Sequence, residues 1–181
     1  MQRKQNKWIQ LLPPLLLLPL VIIPPIAGGS IYWGIGVMAL CWSAVQIVLF
    51  LIRTLWELAD QGEADPDMSK ILRSLLTVGV MILAFCSLAA GRTLAREQAL
   101  TIAVRIQADC GLYASCPESL LPRHLKEGNS ENVGAWMTFP LRYQPYRNSN
   151  LFVLETILSY RERLVIEGGV GQVMKWHVDR L

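Results

Sequence analysis

Hydrophobic residues fall in three long blocks, at 8–28, 31–52 and 74–91, and the rhythm then changes. No Asp, Glu, Lys, Arg or His interrupts any of the three, and each approaches the run of about 20 apolar residues that a bilayer core requires. After Gly91 the apolar positions thin to a stripe. Ala95, Ala99, Ile102, Ala103, Ile106 and Cys110 recur at helical spacing, while Arg92, Arg96, Glu97 and Arg105 occupy the rest of the surface. No proline separates the third block from this stripe. The pattern therefore predicts one helix from about Ser69 to Asp109, roughly 60 Å long, lipid-facing in its first half and amphipathic in its second.

Beyond Cys110 the pattern shifts to short alternating runs. Gly111 reads as the helix terminator, and the stretch 115–118 (SCPE) as the start of a short helix that Pro122 interrupts. Residues 126–134 are polar and turn-rich, hence a loop. An antiparallel meander follows. LRYQPYR (141–147), LFVLETILSY (151–160), RLVIE (163–167) and QVMKWHV (172–178) read as strands, with Gly168-Gly169 as a tight turn. Leu141, Tyr143, Phe152, Leu154, Leu158, Tyr160, Met174, Trp176 and Val178 alternate as the inward set.

These elements divide the 181 residues into a transmembrane region, 1–91, with a loop at 53–73, and an exported domain, 92–181. The fold class expected is an α+β membrane protein with three transmembrane helices, the third continuing into a small domain whose sheet packs on it. The first block is unusual because Pro13, Pro14, Pro19, Pro24 and Pro25 fall inside it. Each removes a backbone donor, which a membrane segment tolerates only where neighbours cover the freed carbonyls. It can span with a kink, form a hairpin with the second block through residues 27–30, or read as a signal peptide after Arg3, Lys4 and Lys7.

Charge then predicts orientation. With three crossings, Arg3, Lys4 and Lys7 share a side with Arg53, Lys70 and Arg73, opposite Arg92, Arg96 and Arg105. The more positive side is cytoplasmic, which places 92–181 in the periplasm of a bacterial inner membrane. Cysteine usage agrees with an oxidising compartment. Cys41 and Cys86 lie inside apolar blocks, whereas Cys110 and Cys116 flank a short exported loop that a disulfide can close. Free thiols or a metal are the alternatives for that pair, although a second ligand pair for zinc is missing.

Candidate chemistry is sparse. Neither a nucleophile elbow nor a phosphate loop nor His-Glu-x-x-His occurs, and no cofactor or metal is expected. The intramembrane blocks carry no ionisable group, which argues against a transporter or channel; Ser43 and Gln46 read as helix–helix contacts. His124 and His177 read as surface residues, and Asp60, Glu63, Asp65 and Asp67 as a solvated loop. Arg142, Tyr143, Tyr146, Arg147, Arg161 and Arg163 mix aromatic and cationic groups and form the candidate interaction surface. With eleven Lys/Arg and nine Asp/Glu, residues 92–181 lack a strong electrostatic signature, and nucleic acid is not an expected partner.

The stretch GLYASCPESL (111–120), the Phe152-x-Leu154 strand pattern, the glycine pair at 168–169 and the late Trp176 together resemble the type IV pilin and pseudopilin module over about residues 75–178. That resemblance implies a long half-embedded helix carrying a small antiparallel sheet. Filament subunits of that family have a leader-peptidase site before the hydrophobic helix and a glutamate early within it. Here no glycine immediately precedes Leu75 and no glutamate lies in 74–90. The resemblance thus implies an anchored, unpolymerised relative. The expected function is non-enzymatic: a protein-interaction module on the lipid bilayer that docks another envelope protein, within a pilus or secretion-type assembly. The alternative is an anchored immunity protein that neutralises an envelope-targeting toxin.

Overall fold

The computed structural model describes residues 12–26, 29–59, 68–121, 123–125, 132–146 and 150–181. The acidic residues at 60–67, Arg147 and residues 8–11 of the first block lie outside this set. The chain divides into two units, Met1–Ile23 with Gly28–Ser87, and Pro24–Ala27 with Leu88–Leu181. Its elements are α1 (Ser30–Ala59), α2 (Met68–Tyr113) and five strands: β1 (Asn132–Val133), β2 (Phe139–Tyr146), β3 (Leu151–Ser159), β4 (Glu162–Gly169) and β5 (Lys175–Arg180).

Among the described residues two helices are long and apolar enough to cross a membrane, not three. Among its described residues, the proline-rich block is helical only at 12–15 and in a 3-10 turn at Leu18–Val21. The physical reason is its missing donors: Pro25, for example, lacks the N–H that would bond Val21 four residues back. Side chains supply replacements. Ser87 Oγ donates to Val21 O at 2.5 Å, Trp33 Nε1 donates to Ile23 O at 2.6 Å, and the Tyr32 hydroxyl donates to Leu16 O. Gly36 has no side chain because Leu20 and Met81, both fully buried, occupy the space a Cβ would take. Trp33 meets Phe85 edge-on, with 5.5 Å between ring centroids.

The second unit is built on the later half of α2. All six residues of the apolar stripe are buried, Ala95, Ala99, Ala103, Ile106 and Cys110 completely. Three are alanines, so strand side chains can come close to the helix axis. Facing them are Phe152, Leu154, Leu164 and Ile166 from the centre of an antiparallel sheet ordered β1-β2-β3-β4-β5. Val133, Met137 and Phe139, at the start of the meander, complete this core.

Several local expectations are corrected. α2 runs past Gly111 to Tyr113, and Ala114 takes the left-handed conformation (φ 51°) that the glycine was expected to supply. Residues 115–121 form bends rather than a helix. Gly168 and Gly169 belong to β4, and the turn falls at Val170-Gly171, where Gly171 has φ 71°. Gly168 is needed for close packing: a Cβ there would collide with Gln107 and the Phe152 ring.

Candidate interaction surface

Register assigns each strand residue to a face. Leu154 pairs with Ile166 and Ile166 with Trp176, so these lie on the helix side of the sheet. Arg142 pairs with Glu155, Glu155 with Val165, and Val165 with His177, so these lie on the opposite side. Arg142 and Glu155 stand at one end of this row, with the buried Val165 between Glu155 and His177. Arg163, on the same face, lies 3.5 Å from Glu155 and 3.2 Å from Asp179.

The six residues expected to form one surface do not share one. Arg142 and Arg163 are on the outer face, and Arg163 is held by its two carboxylates. Tyr143 points to the helix side, half-buried beside Phe152 with ring centroids 6.1 Å apart, and its hydroxyl donates to Pro117 O at 2.5 Å. Burial pushes its phenol up to about 12. Tyr146 is exposed at the end of β2, and Arg161 lies in the β3–β4 turn, 5.0 Å over the Tyr160 ring. Tyr160 is therefore exposed rather than inward.

The exposed apolar surface of this unit lies instead on β5. Trp176 and Val178 face the helix side yet remain 45% and 43% exposed, because β5 is the last strand of the sheet. From the helix, Arg96 reaches Trp176, its guanidinium stacking 4.1 Å from the ring centroid. Val173, just before the strand, is 83% exposed. Among the described residues β5 pairs with β4 alone, so the other edge of this short, charged strand has no strand partner there. The alternation correctly placed Trp176 in phase with the core face, but not beyond the reach of the helix.

One residue positions this edge. Gln107 donates from Nε2 to the carbonyls of Gly169 at 2.7 Å and Gln172 at 3.0 Å, while its Oε1 accepts from the Gly169 N–H at 2.8 Å. The side chain thus fixes the end of β4 and the approach to β5 against α2.

The end of α2 carries a second cluster. The Cys110–Cys116 disulfide is formed, and His124, expected on the surface, is buried. Its Nδ1 accepts the Leu121 N–H at 3.0 Å, so the proton sits on Nε2, which donates to Asp109 Oδ2 at 2.7 Å. Arg123 also reaches that oxygen. The His124 hydrogen bond, followed by Arg123, holds the Asp109 carboxyl below its ordinary range. Ser115 and Ser119 line an adjoining cavity of about 400 Å³. With both imidazole nitrogens engaged, His124 has none left to activate a serine. The cluster pins the 115–125 segment to the helix.

No protein-family model, curated protein or solved structure matches this chain.

Proposed function

We propose that this is a bacterial inner-membrane protein whose second unit is exported and docks another envelope protein, without catalysing a reaction of its own. The observation that carries this reading is the division of α2. Between residues 72 and 85 it exposes Leu72, Leu75, Leu76, Ile82, Leu83 and Phe85, while between 95 and 110 it buries a stripe of small apolar residues. A helix of a water-soluble domain does not present six large apolar side chains to solvent along four turns. α1 does the same with Ile31, Met38 and Trp56, each more than 70% exposed. Lipid is the solvent that suits both.

Export rests on the disulfide. The charge count assumed three crossings. If the broken first block does not cross, Arg3, Lys4 and Lys7 join Arg92, Arg96 and Arg105, and the count then opposes export. Cys110–Cys116, closing a loop of sequence separation 6, favours an oxidising compartment. For docking, β5 offers an open strand edge with Trp176 and Val178 beside it, the geometry by which an extended partner segment adds to a sheet. A pilin-like module in a pilus or secretion-type assembly fits this use.

Two measurements test the proposal. Alkaline phosphatase fused after Leu181 is expected to be active, whereas a fluorescent cytoplasmic reporter at the same place is not; the reverse result sinks export. A photoreactive residue at Val178 is expected to crosslink one envelope protein from intact cells, and the same residue at Arg142 is not. Equal labelling from both positions removes the assignment to β5.

A further inference from the structure

The contacts of α2 fix which end of the second unit lies nearest the apolar part of that helix. No charged residue occurs between Arg73 and Arg92, and residues 74–91 span about 27 Å of helix, close to the thickness of a bilayer core. The apolar run therefore ends at Gly91. At that level a Cβ on Gly91 would meet Met137, and Arg92 lies 3.4 Å from Glu162. Gln107, which holds Gly169 and Gln172, is about 24 Å further along. The segment around Met137, the β3–β4 turn and the end of β5 thus form the near rim of this unit. Val173, next to Gln172, stands at its far end.

That rim has the composition of a membrane–water boundary. Trp136 and Tyr160 are exposed there, and rings with one polar end prefer the headgroup layer. The Arg161 guanidinium lies 5.0 Å over the Tyr160 ring, and the Leu181 N–H donates to Arg161 O at 2.9 Å. Arg180 stands opposite Glu162 in the β4–β5 register. The side-chain carboxylates nearby are already engaged, Glu162 by Arg92 and Asp179 by Arg163. Among the described residues neither Arg161 nor Arg180 makes an ion pair, which leaves two cations on the rim beyond those pairs.

We infer that this rim rests on the headgroup layer, with Trp136 and Tyr160 at the depth of the lipid carbonyls and Arg161 and Arg180 on the phosphates of anionic phospholipid. The inference rests on the membrane reading above, to which it adds how the second unit is seated. Basic residues near a bilayer attract anionic lipid, and the aromatic pair sets the depth. A seated rim holds the open edge of β5 at a fixed height for its partner.

The test uses the full chain in vesicles of phosphatidylglycerol and phosphatidylcholine, with a dansyl amino acid placed singly at Leu83, Tyr160 or Val173. Quenching by a lipid with a nitroxide headgroup is expected to be strong at Tyr160 and near zero at Val173, although Val173 is the more exposed of the two. Arg161→Gln with Arg180→Gln is expected to lower the ratio of seated to lifted rim about 30-fold, and phosphatidylcholine alone should act on the wild type in the same direction. Arg142→Gln, on the outer face, is expected to change nothing. Equal quenching at Tyr160 and Val173, or quenching at Tyr160 that the cation variant does not reduce, would overturn the seat. Circular dichroism establishes that the variants are folded. The probe at Leu83 separates two failures. No quenching there by a nitroxide on the acyl chain would refute the membrane reading, and this inference with it. Quenching at Leu83 with none at Tyr160 refutes the inference alone.

Discussion

Along α2, the residues before Ser87 and those after it differ in which side chains are large and in which of them are exposed. The earlier part projects Leu, Ile and Phe outward, and Ser74, Thr77, Met81 and Ala84 form its buried line. In the later part the buried line is mostly alanine and isoleucine, and the only large apolar side chains exposed are Val104, Leu112 and Tyr113. On the reading proposed above, a single helix of 46 residues, about 69 Å long, meets two solvents. The lesson is that helical apolarity alone does not reveal burial. What distinguishes the parts is which side chains are small, since only small ones let a sheet pack closely.

The strongest way to break this comparison is to place a charge on each line. Ala103 is completely buried, and Ala103→Asp should destabilise the second unit by more than about 4 kcal/mol, read as loss of the folded domain in thermal denaturation. Arg105→Asp, on an exposed turn with one 3.3 Å bond to His124 O, should cost under about 1.5 kcal/mol. Leu83→Asp should leave the second unit folded yet impair membrane insertion. Equal melting temperatures for Ala103→Asp and Arg105→Asp would remove the two-solvent account.

Next in size is the disulfide. Cys110→Ser, or reduction of the wild type, should lower stability of the second unit by about 2–3 kcal/mol, while Cys86→Ser should not. Gln107→Ala follows. Losing the clamp on Gly169 and Gln172 should cost about 1–2 kcal/mol and raise amide exchange selectively at the end of β4 and in β5. Uniform exchange throughout the sheet would show that the clamp does not position that edge.

The smallest expected effects depend on pH. Because the folded Asp109 carboxyl lies below its ordinary value of 3.8, its contribution is present above that pH and fades as pH falls through the folded value. Asp109→Asn should flatten that acid limb. Tyr143 behaves oppositely: its folded phenol is pushed up to about 12, so its contribution holds below 10 and is lost as pH rises toward 12. Tyr143→Phe should remove this alkaline component in pH-dependent denaturation.

The buried stripe from Ala95 to Cys110 was legible because small apolar residues repeat at the helical period, and most of the meander because turn residues separate alternating runs. Other features depend on distant partners. His124 sits in a locally polar stretch, and nothing nearby announces that Asp109, fifteen residues back on α2, accepts a hydrogen bond from its Nε2–H. Gly168 and Gly169 look like a turn, but the space at Gly168 is taken by Phe152 and Gln107, and that at Gly169 by Leu151 and the Asn150 carbonyl. β1 was hidden in a polar loop, and the core roles of Met137 and Phe139 depend on contacts such as that of Met137 with Gly91. The mixed Tyr–Arg group failed as a surface because strand alternation sends Tyr143 and Arg142 to opposite faces.

The central claim is most directly tested by nitroxide labels at Leu83 and Val104, both exposed on α2, in chains reconstituted into vesicles. Collision with oxygen should dominate at Leu83 and collision with a water-soluble nickel complex at Val104. Ready nickel access at Leu83 would contradict the assignment of the first half of the helix to lipid.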